Sequence, residues 1–261
     1  MIKFNENKII KRLKKNQITI YLFHGVINKK IKSIRNYTGK HIEKDKFRKL
    51  MKKLSKHGNP VSIDDAVLSL KNKNKIKPKS FVITFDDGFY NNISIAYPIL
   101  KKLNIPFTIY LTTQFVDKNS MSWVDQIEYC VDKTKNREIL IPKYNKKFLI
   151  TNNKEKIKLM NFIRKRIKLD KKCNPNLFAK KMNKKLGFKN NLKSKLIIDK
   201  KLSWKDVRKY RNNKLITFGG HSHSHLTLGF LNNKILNKEI VTSVKKIKKY
   251  LNLKNIHYSY P

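Results

Sequence analysis

The sequence predicts an α/β fold built on parallel strands. Three observations carry that reading. Short apolar, β-branched runs at 18–23, 81–85, 105–111 and 215–218 alternate with stretches of helical period at 47–54, 95–103 and 236–251. The run Phe81-Val82-Ile83-Thr84-Phe85 is almost unbroken, as in a strand buried on both faces. Two of the strands end in polar clusters, Asp86-Asp87-Gly88 and Gly219-Gly220-His221. Parallel α/β sheets keep their chemistry at that C-terminal edge.

The elements follow in order. Residues 18–23 form a strand that ends in His24-Gly25-Val26. His24 can face the same site as Asp86, or serve only in packing. Residues 27–42 are polar and without period, hence a loop. Phe47, Leu50, Met51 and Leu54 mark one face of a helix, which His57-Gly58-Asn59-Pro60 stops. A short strand at 61–63 leads into a helix whose start Asp64-Asp65 is read as capping. After the 81–85 strand, Ile95, Ile99 and Leu103 give an amphipathic helix with Pro98 in its first turns. The 105–111 strand completes a parallel pair. Trp123 enters a short helix. From 131 to 200, Lys and Asn dominate and Ile157, Met160, Ile163 and Ile167 carry helical spacing, so this segment reads as a mostly helical insertion. Ser203-Trp204-Lys205-Asp206 has the form of a capping box.

Composition bounds the function. The 261 residues suit one large α/β domain, here 1–261 with 131–200 inserted in it. A formal charge of +45 points first to nucleic acid or an anionic surface. The lysines are spread along the chain among Asn and Ile rather than gathered into an arm, which argues against a nucleic-acid site. An anionic glycan or lipid-linked substrate, with peripheral membrane contact, remains compatible. Cys130 and Cys173 form no CxxC and no disulfide framework, so they suit a reducing compartment. The N-terminus shows no signal-peptide apolar region, and no stretch approaches the ~20 apolar residues of a span. The expectation is a cytoplasmic protein.

The two polar clusters are chemically complementary. His221 and His225 are spaced so that one helical turn would put both imidazoles on one side, while His223 would point away. Two histidines and one carboxylate suit zinc or another divalent ion, Co2+, Ni2+ or Fe2+ included, and leave positions open for water. Adjacent strand residues point to opposite sides. One of Asp86 and Asp87 can therefore bind metal while the other stands beside the water as a general base. Taken alone, Asp-Asp-Gly is a common turn and His-Ser-His-Ser-His a solvated loop. Each here follows its own apolar strand.

Thr84-Phe85-Asp86-Asp87-Gly88 resembles the first motif of the polysaccharide deacetylases, the nodulation-type chitooligosaccharide deacetylases and their relatives. His221-Ser222-His223-Ser224-His225 is similar to that family's H-[ST]-x-[ST]-H motif. Tyr21 to Val26 looks like its opening strand, and Ser203-Trp204, Glu239 and Tyr258-Ser259-Tyr260-Pro261 fall in the family's order. The resemblance covers most of the chain outside the insertion. It implies a distorted (β/α) barrel with fewer than eight strands. It implies metal-dependent hydrolysis of the N-acetyl amide of a sugar or polysaccharide, with Asp87, His221 and His225 binding the metal and Asp86 as the base. Thr84 and Gly88 would shape the turn, Ser222 and Ser224 would fix the loop by backbone hydrogen bonds, and His24 and Tyr260 would face substrate, an N-acetylated glycan or glycolipid.

The third motif departs from the family. Ser259 stands where an arginine often holds the base, and the run stops at Pro261 before the tyrosine that follows it. No histidine after His257 can map onto the family's general acid. The expectation is an incomplete barrel, either a piece of a full enzyme or a degenerate relative. Beside the deacetylase stand two readings of other classes: a non-catalytic glycan- or metal-binding protein on the same scaffold, and a basic nucleic-acid binder.

Overall fold

The computed structural model describes residues 6–72, 76–188, 192 and 196–261. A short helix α1 (Glu6–Ile10) precedes strand β1 (Thr19–Phe23). Strands β2 (Gly25–Ile27) and β3 (His41–Glu43) pair in parallel inside the stretch the sequence assigns to loop. Helix α2 (Lys44–His57) buries the four predicted residues Phe47, Leu50, Met51 and Leu54. That stripe contributes about 6–12 kcal/mol of apolar burial at ~1.5–3 kcal/mol per side chain. Strand β4 (Asn59–Pro60) falls just before the predicted 61–63. Helix α3 (Ile63–Lys71) is capped by Ser62, whose Oγ accepts from the Asp65 amide at 3.0 Å. Asp64, read as a cap, instead reaches Thr217 Oγ1 (3.1 Å) and His257 Nε2 (2.7 Å).

Strand β5 (Ser80–Phe85) is buried at every position, which explains its unbroken apolar run. Phe81, Ile83 and Phe85 enter the main core with the α2 stripe, and Val82 packs with Ile63 and Ala66 of α3. A π-helical turn, Asn92–Ala96, leads into α4 (Tyr97–Lys102), where Pro98 sits in the first turn and breaks no bond. Strand β6 (Phe107–Leu111) and helix α5 (Thr113–Lys118) follow.

Helix α6 (Trp123–Lys133), hairpin strands β7 (Glu138–Ile141) and β8 (Lys146–Leu149), and helices α7 (Asn153–Leu169) and α8 (Pro175–Lys185) share a second apolar cluster. Its members include Trp123, Ile127, Ile141, Phe148, Leu159 and Ile163. Among its described residues, the 131–200 stretch holds the end of α6, the helices α7 and α8 and one antiparallel hairpin, joined by turns and loops. Helix α9 (Trp204–Tyr210) begins with the predicted capping box. Strand β9 (Ile216–Gly220) ends at the histidines, and α10 (Asn233–Leu251) closes the main core with Ile247 and Leu251.

The main sheet is parallel throughout, in the order β1-β5-β6-β9 with β4 added on β5. It is open. The predicted barrel is not formed among the described residues, because β1 has β5 as its strand partner and no strand on its far side. Ile20 and Leu22 of that edge strand are 56% and 52% exposed. Near the C-terminus a single parallel bridge joins Gly220 to Tyr258. No helix among the described residues is long and apolar enough to cross a membrane.

Candidate metal centre

The C-terminal ends of β5 and β9, separated in the sheet only by β6, bring the two polar clusters together. Asp86 continues the β1–β5 ladder, its amide donating to Phe23 O at 2.9 Å. Asp87 and Gly88 then adopt left-handed backbone at φ 70° and 64°. This bend resolves the alternation that would put adjacent strand residues on opposite sides. Glycine takes such a φ freely, whereas an aspartate there costs on the order of 1 kcal/mol.

On the other side, His221 donates its amide to Leu111 O of β6 at 2.9 Å. Ser222 and His225 are left-handed, both at φ 61°. Residues 221–225 are therefore not a helical turn, as the spacing suggests, but a loop in which two strained residues aim the imidazoles. Ser222 Oγ accepts from the His225 amide at 2.9 Å. Ser224 Oγ donates to the Glu239 carboxylate rather than to backbone (2.6 Å). Glu239, buried on α10, also accepts from the amides of His223 (3.0 Å) and Ser224 (2.7 Å). His223 turns away, its Nδ1 2.8 Å from Thr113 Oγ1.

One ligand atom from each of Asp87, His221 and His225 lies within 4.8 Å of the others, the only such group of three or more among the described residues. His225 Nε2 is 3.0 Å from Asp87 Oδ1, and His221 Nε2 is 3.8 Å from it. Ligands of a tetrahedral divalent site stand ~3.4 Å apart, so the cluster is near that spacing. His221 Nδ1 donates to Ser259 O at 2.9 Å, which leaves Nε2 with its lone pair toward the aspartates. Asp86 lies beside the cluster, with Oδ2 4.0 Å from His221 Nε2 and Oδ1 buried without a hydrogen-bond partner among the described residues. The donor set and the orphaned oxygen both fit a divalent cation.

Electrostatics divides the two aspartates. Burial, then the charge on Asp87, raises the Asp86 carboxyl to about 7. Burial also acts to raise Asp87, but the charges of His225 and Lys40 more than offset it and hold this carboxyl well below the usual range. Adjacent carboxylates pushed apart in this way are suited to different roles. Burial, then the neighbouring His225, lowers His221 to about 4. His24 sits between β1 and β2, pushed by burial to about 4 despite the charge on Asp87. Its backbone carbonyl accepts from Asn92 Nδ2 at 2.9 Å. Tyr260 is 73% exposed, its ring 5.8 Å from that of Tyr258.

Three charged neighbours are invisible in the sequence reading. Lys40 Nζ lies 3.3 Å from Asp87 Oδ2 and 2.8 Å from Asp125 Oδ2. Lys201 is buried and lowered by burial to about 7; its ammonium lies 3.1 Å from the centre of the Phe89 ring and has no hydrogen-bond partner among the described residues. Lys40 and Lys201 are two of 62 cationic residues, and no spacing or motif singles them out. Asp125 sits where Ser122-x-x-Asp125 signals a helix start, which hides any further role.

The polysaccharide deacetylase family model matches residues 73–261. The Bacillus subtilis protein YxkH, assigned to polysaccharide deacetylases, is 32% identical over 103 residues, 39% of this chain and 34% of that protein. The match thus spans about a third of the curated relative. Among solved structures, the Streptococcus pyogenes deacetylase PplD in complex with acetate aligns with a TM-score of 0.56 at 15% identity, over 95% of this chain and 74% of its own. IcaB from Ammonifex degensii aligns with a TM-score of 0.54 at 14% identity, over 95% and 75%. At such identity the likeness concerns the fold. With the family model covering most of its length, this chain belongs to the polysaccharide deacetylase family.

Proposed function

We propose that this chain is a divalent-metal-dependent hydrolase that removes N-acetyl groups from an N-acetylated sugar or polysaccharide. The observation that carries the reading is the meeting of Asp87, His221 and His225 within 4.8 Å, with Asp86 buried beside them. Asp87, His221 and His225 would hold the metal, zinc being well suited to the set. Such an ion, when bound, acidifies a water and polarises the acetyl carbonyl. Asp86, buried beside the cluster, would take the proton of the attacking water. The amide C–N bond would then break as the nitrogen takes up that proton, to give acetate and a free amine. Ser259 O fixes the His221 tautomer, and Glu239 fixes the loop that carries both imidazoles.

His24, within electrostatic reach of Asp87 and His225, would face the substrate, as would Tyr260. The charge of +45 favours an anionic or lipid-linked glycan. The test is metal content after purification without a histidine tag, together with acetate release from N-acetylated oligosaccharides. About one metal per chain in the parent, lost in Asp87→Asn and in His225→Ala, supports the reading. Metal content indifferent to both changes overturns it.

A further inference from the structure

We infer that Lys40 is a positioning residue that makes Asp87 a one-oxygen ligand, with Asp125 of α6 holding Lys40 in place. The inference rests on the reading of Asp87, His221 and His225 as a metal site. The two oxygens of Asp87 are already divided. Oδ2 faces Lys40 Nζ at 3.3 Å, while Oδ1 faces His225 Nε2 at 3.0 Å and His221 Nε2 at 3.8 Å. Lys40 in turn donates to both oxygens of Asp125, at 3.0 and 2.8 Å.

Asp125 is itself immobilised. Ser122 Oγ donates to its Oδ2 at 2.7 Å, and Arg35, paired with Asp199, donates to its backbone carbonyl at 3.0 Å. The start of an 11-residue helix thus reaches the candidate ligand through a single ammonium. Lys201 does not replace it, because its ammonium faces the Phe89 ring at 3.1 Å and has no hydrogen-bond partner among the described residues.

The chemical consequence concerns coordination number. A carboxylate with one oxygen held by an ammonium gives the metal one bond and keeps positions open for water and substrate. With Oδ2 released, the same carboxylate can chelate through both oxygens and close a position. Removing a cation beside a dication also removes a repulsion. The absence of Lys40 should therefore raise the coordination number without weakening binding.

The experiment uses Co2+ as the probe, read by its visible absorption and by chelator competition, on the parent, Lys40→Met, Lys40→Arg, Asp125→Asn and His225→Ala. Lower-coordinate Co2+ absorbs more strongly. Lys40→Met is expected to keep Co2+ at least as tightly as the parent, with a weaker band shifted to shorter wavelength, and Lys40→Arg to return toward the parent spectrum. Asp125→Asn, which retains the side-chain size, is expected to change the band in the same direction and serves should Lys40→Met not fold. Parent-like spectra in both Lys40→Met and Asp125→Asn overturn the inference. Loss of Co2+ from folded Lys40→Met also overturns it, since the lysine would then only support the fold of the site. Absence of Co2+ from the parent, or its retention in His225→Ala, refutes the metal reading itself, and the inference falls with it.

Discussion

Removing the Glu239 carboxylate should disorganise the histidine loop without touching any candidate ligand. Glu239 is buried and accepts three bonds, from the amides of His223 and Ser224 and from Ser224 Oγ, at 3.0, 2.7 and 2.6 Å. Bonds to a charged acceptor contribute about 1.5–3 kcal/mol each, and an amide left buried without a partner bears its own desolvation penalty. The desolvation relieved by deleting a buried carboxylate offsets part of this, which leaves on the order of 3 kcal/mol against the ordered loop. Since every 1.4 kcal/mol is tenfold, the loss is large enough to weaken metal binding by about 10- to 100-fold, the range seen when outer partners of ligands are removed. Glu239→Gln keeps an oxygen for the two amides and a nitrogen for Ser224 Oγ, so it should cost less than tenfold. The assay is competition for Zn2+ with a chromophoric chelator, with thermal melts run alongside. If Glu239→Ala lowers the melting temperature but binds Zn2+ as the parent does, the clamp serves the fold alone and the reasoning fails. Equal losses in the Ala and Gln variants would show that charge, not loop geometry, is the controlling quantity.

Three further outcomes are expected. Asp86→Asn should retain one metal per chain, with no acetate release at any pH; loss of the metal would make Asp86 a ligand rather than a base. A Cβ on Gly220 would lie 2.6 Å from Tyr258 Cδ2, so Gly220→Ala should push the Tyr258 segment away and loosen the Ser259 bond to His221. Its cost is about 1–3 kcal/mol in a melt, with weaker metal binding, and parent-like values in both would refute the packing account. Burial raises Glu128 from 4.5 to about 7, with Arg35 offsetting only part of the shift, which corresponds to about 3 kcal/mol. A raised carboxyl stabilises the fold fully below 4.5, and that contribution is lost as pH climbs to about 7, because the unfolded chain ionises first. Glu128→Gln should flatten stability across that window, and denaturation curves with the parent's pH slope would refute it.

Periodicity made most of the fold legible, and it failed where backbone dihedrals decide. The stripe of α2, the buried run of β5 and the capping box of α9 depend on side chains at fixed spacing, and each lies where the sequence places it. The β2–β3 pair was hidden because each strand has three residues, too few to show alternation. The open sheet could not be read from strands alone, because closure depends on which edges meet. Asp64-Asp65 and Asp86-Asp87 look alike on paper. They differ in what precedes them: Pro60 and Ser62 put the first pair at a helix start, and a six-residue buried strand puts the second at a sheet edge.

The site shows the same limit in a sharper form. Spacing found His221 and His225, but the convergence comes from left-handed backbone at Ser222 and His225 rather than from a helical turn. Of the nine described non-glycine residues with positive φ, five are asparagines, which tolerate it; of the other four, three are Asp87, Ser222 and His225. Strain concentrated in this way needs compensation, and each case has it: Lys40 and His225 on Asp87, Ser222 Oγ on the His225 amide, and Glu239 on the loop between them. Lys40 illustrates why such compensation escapes a sequence. In a chain with 62 cationic residues and 17 acidic ones, a lysine carries almost no information by itself. The rarer carboxylates carry more. Six of them, Asp86, Asp87, Asp125, Glu128, Asp199 and Glu239, are buried, and all but Asp199 lie on strands, helices or loops that bear on the site; even Asp199 does so indirectly, through Arg35 to the carbonyl of Asp125. In so cationic a chain, the buried acids mark where the structure has spent its strongest interactions, and they trace the site more closely than the lysines that hold them.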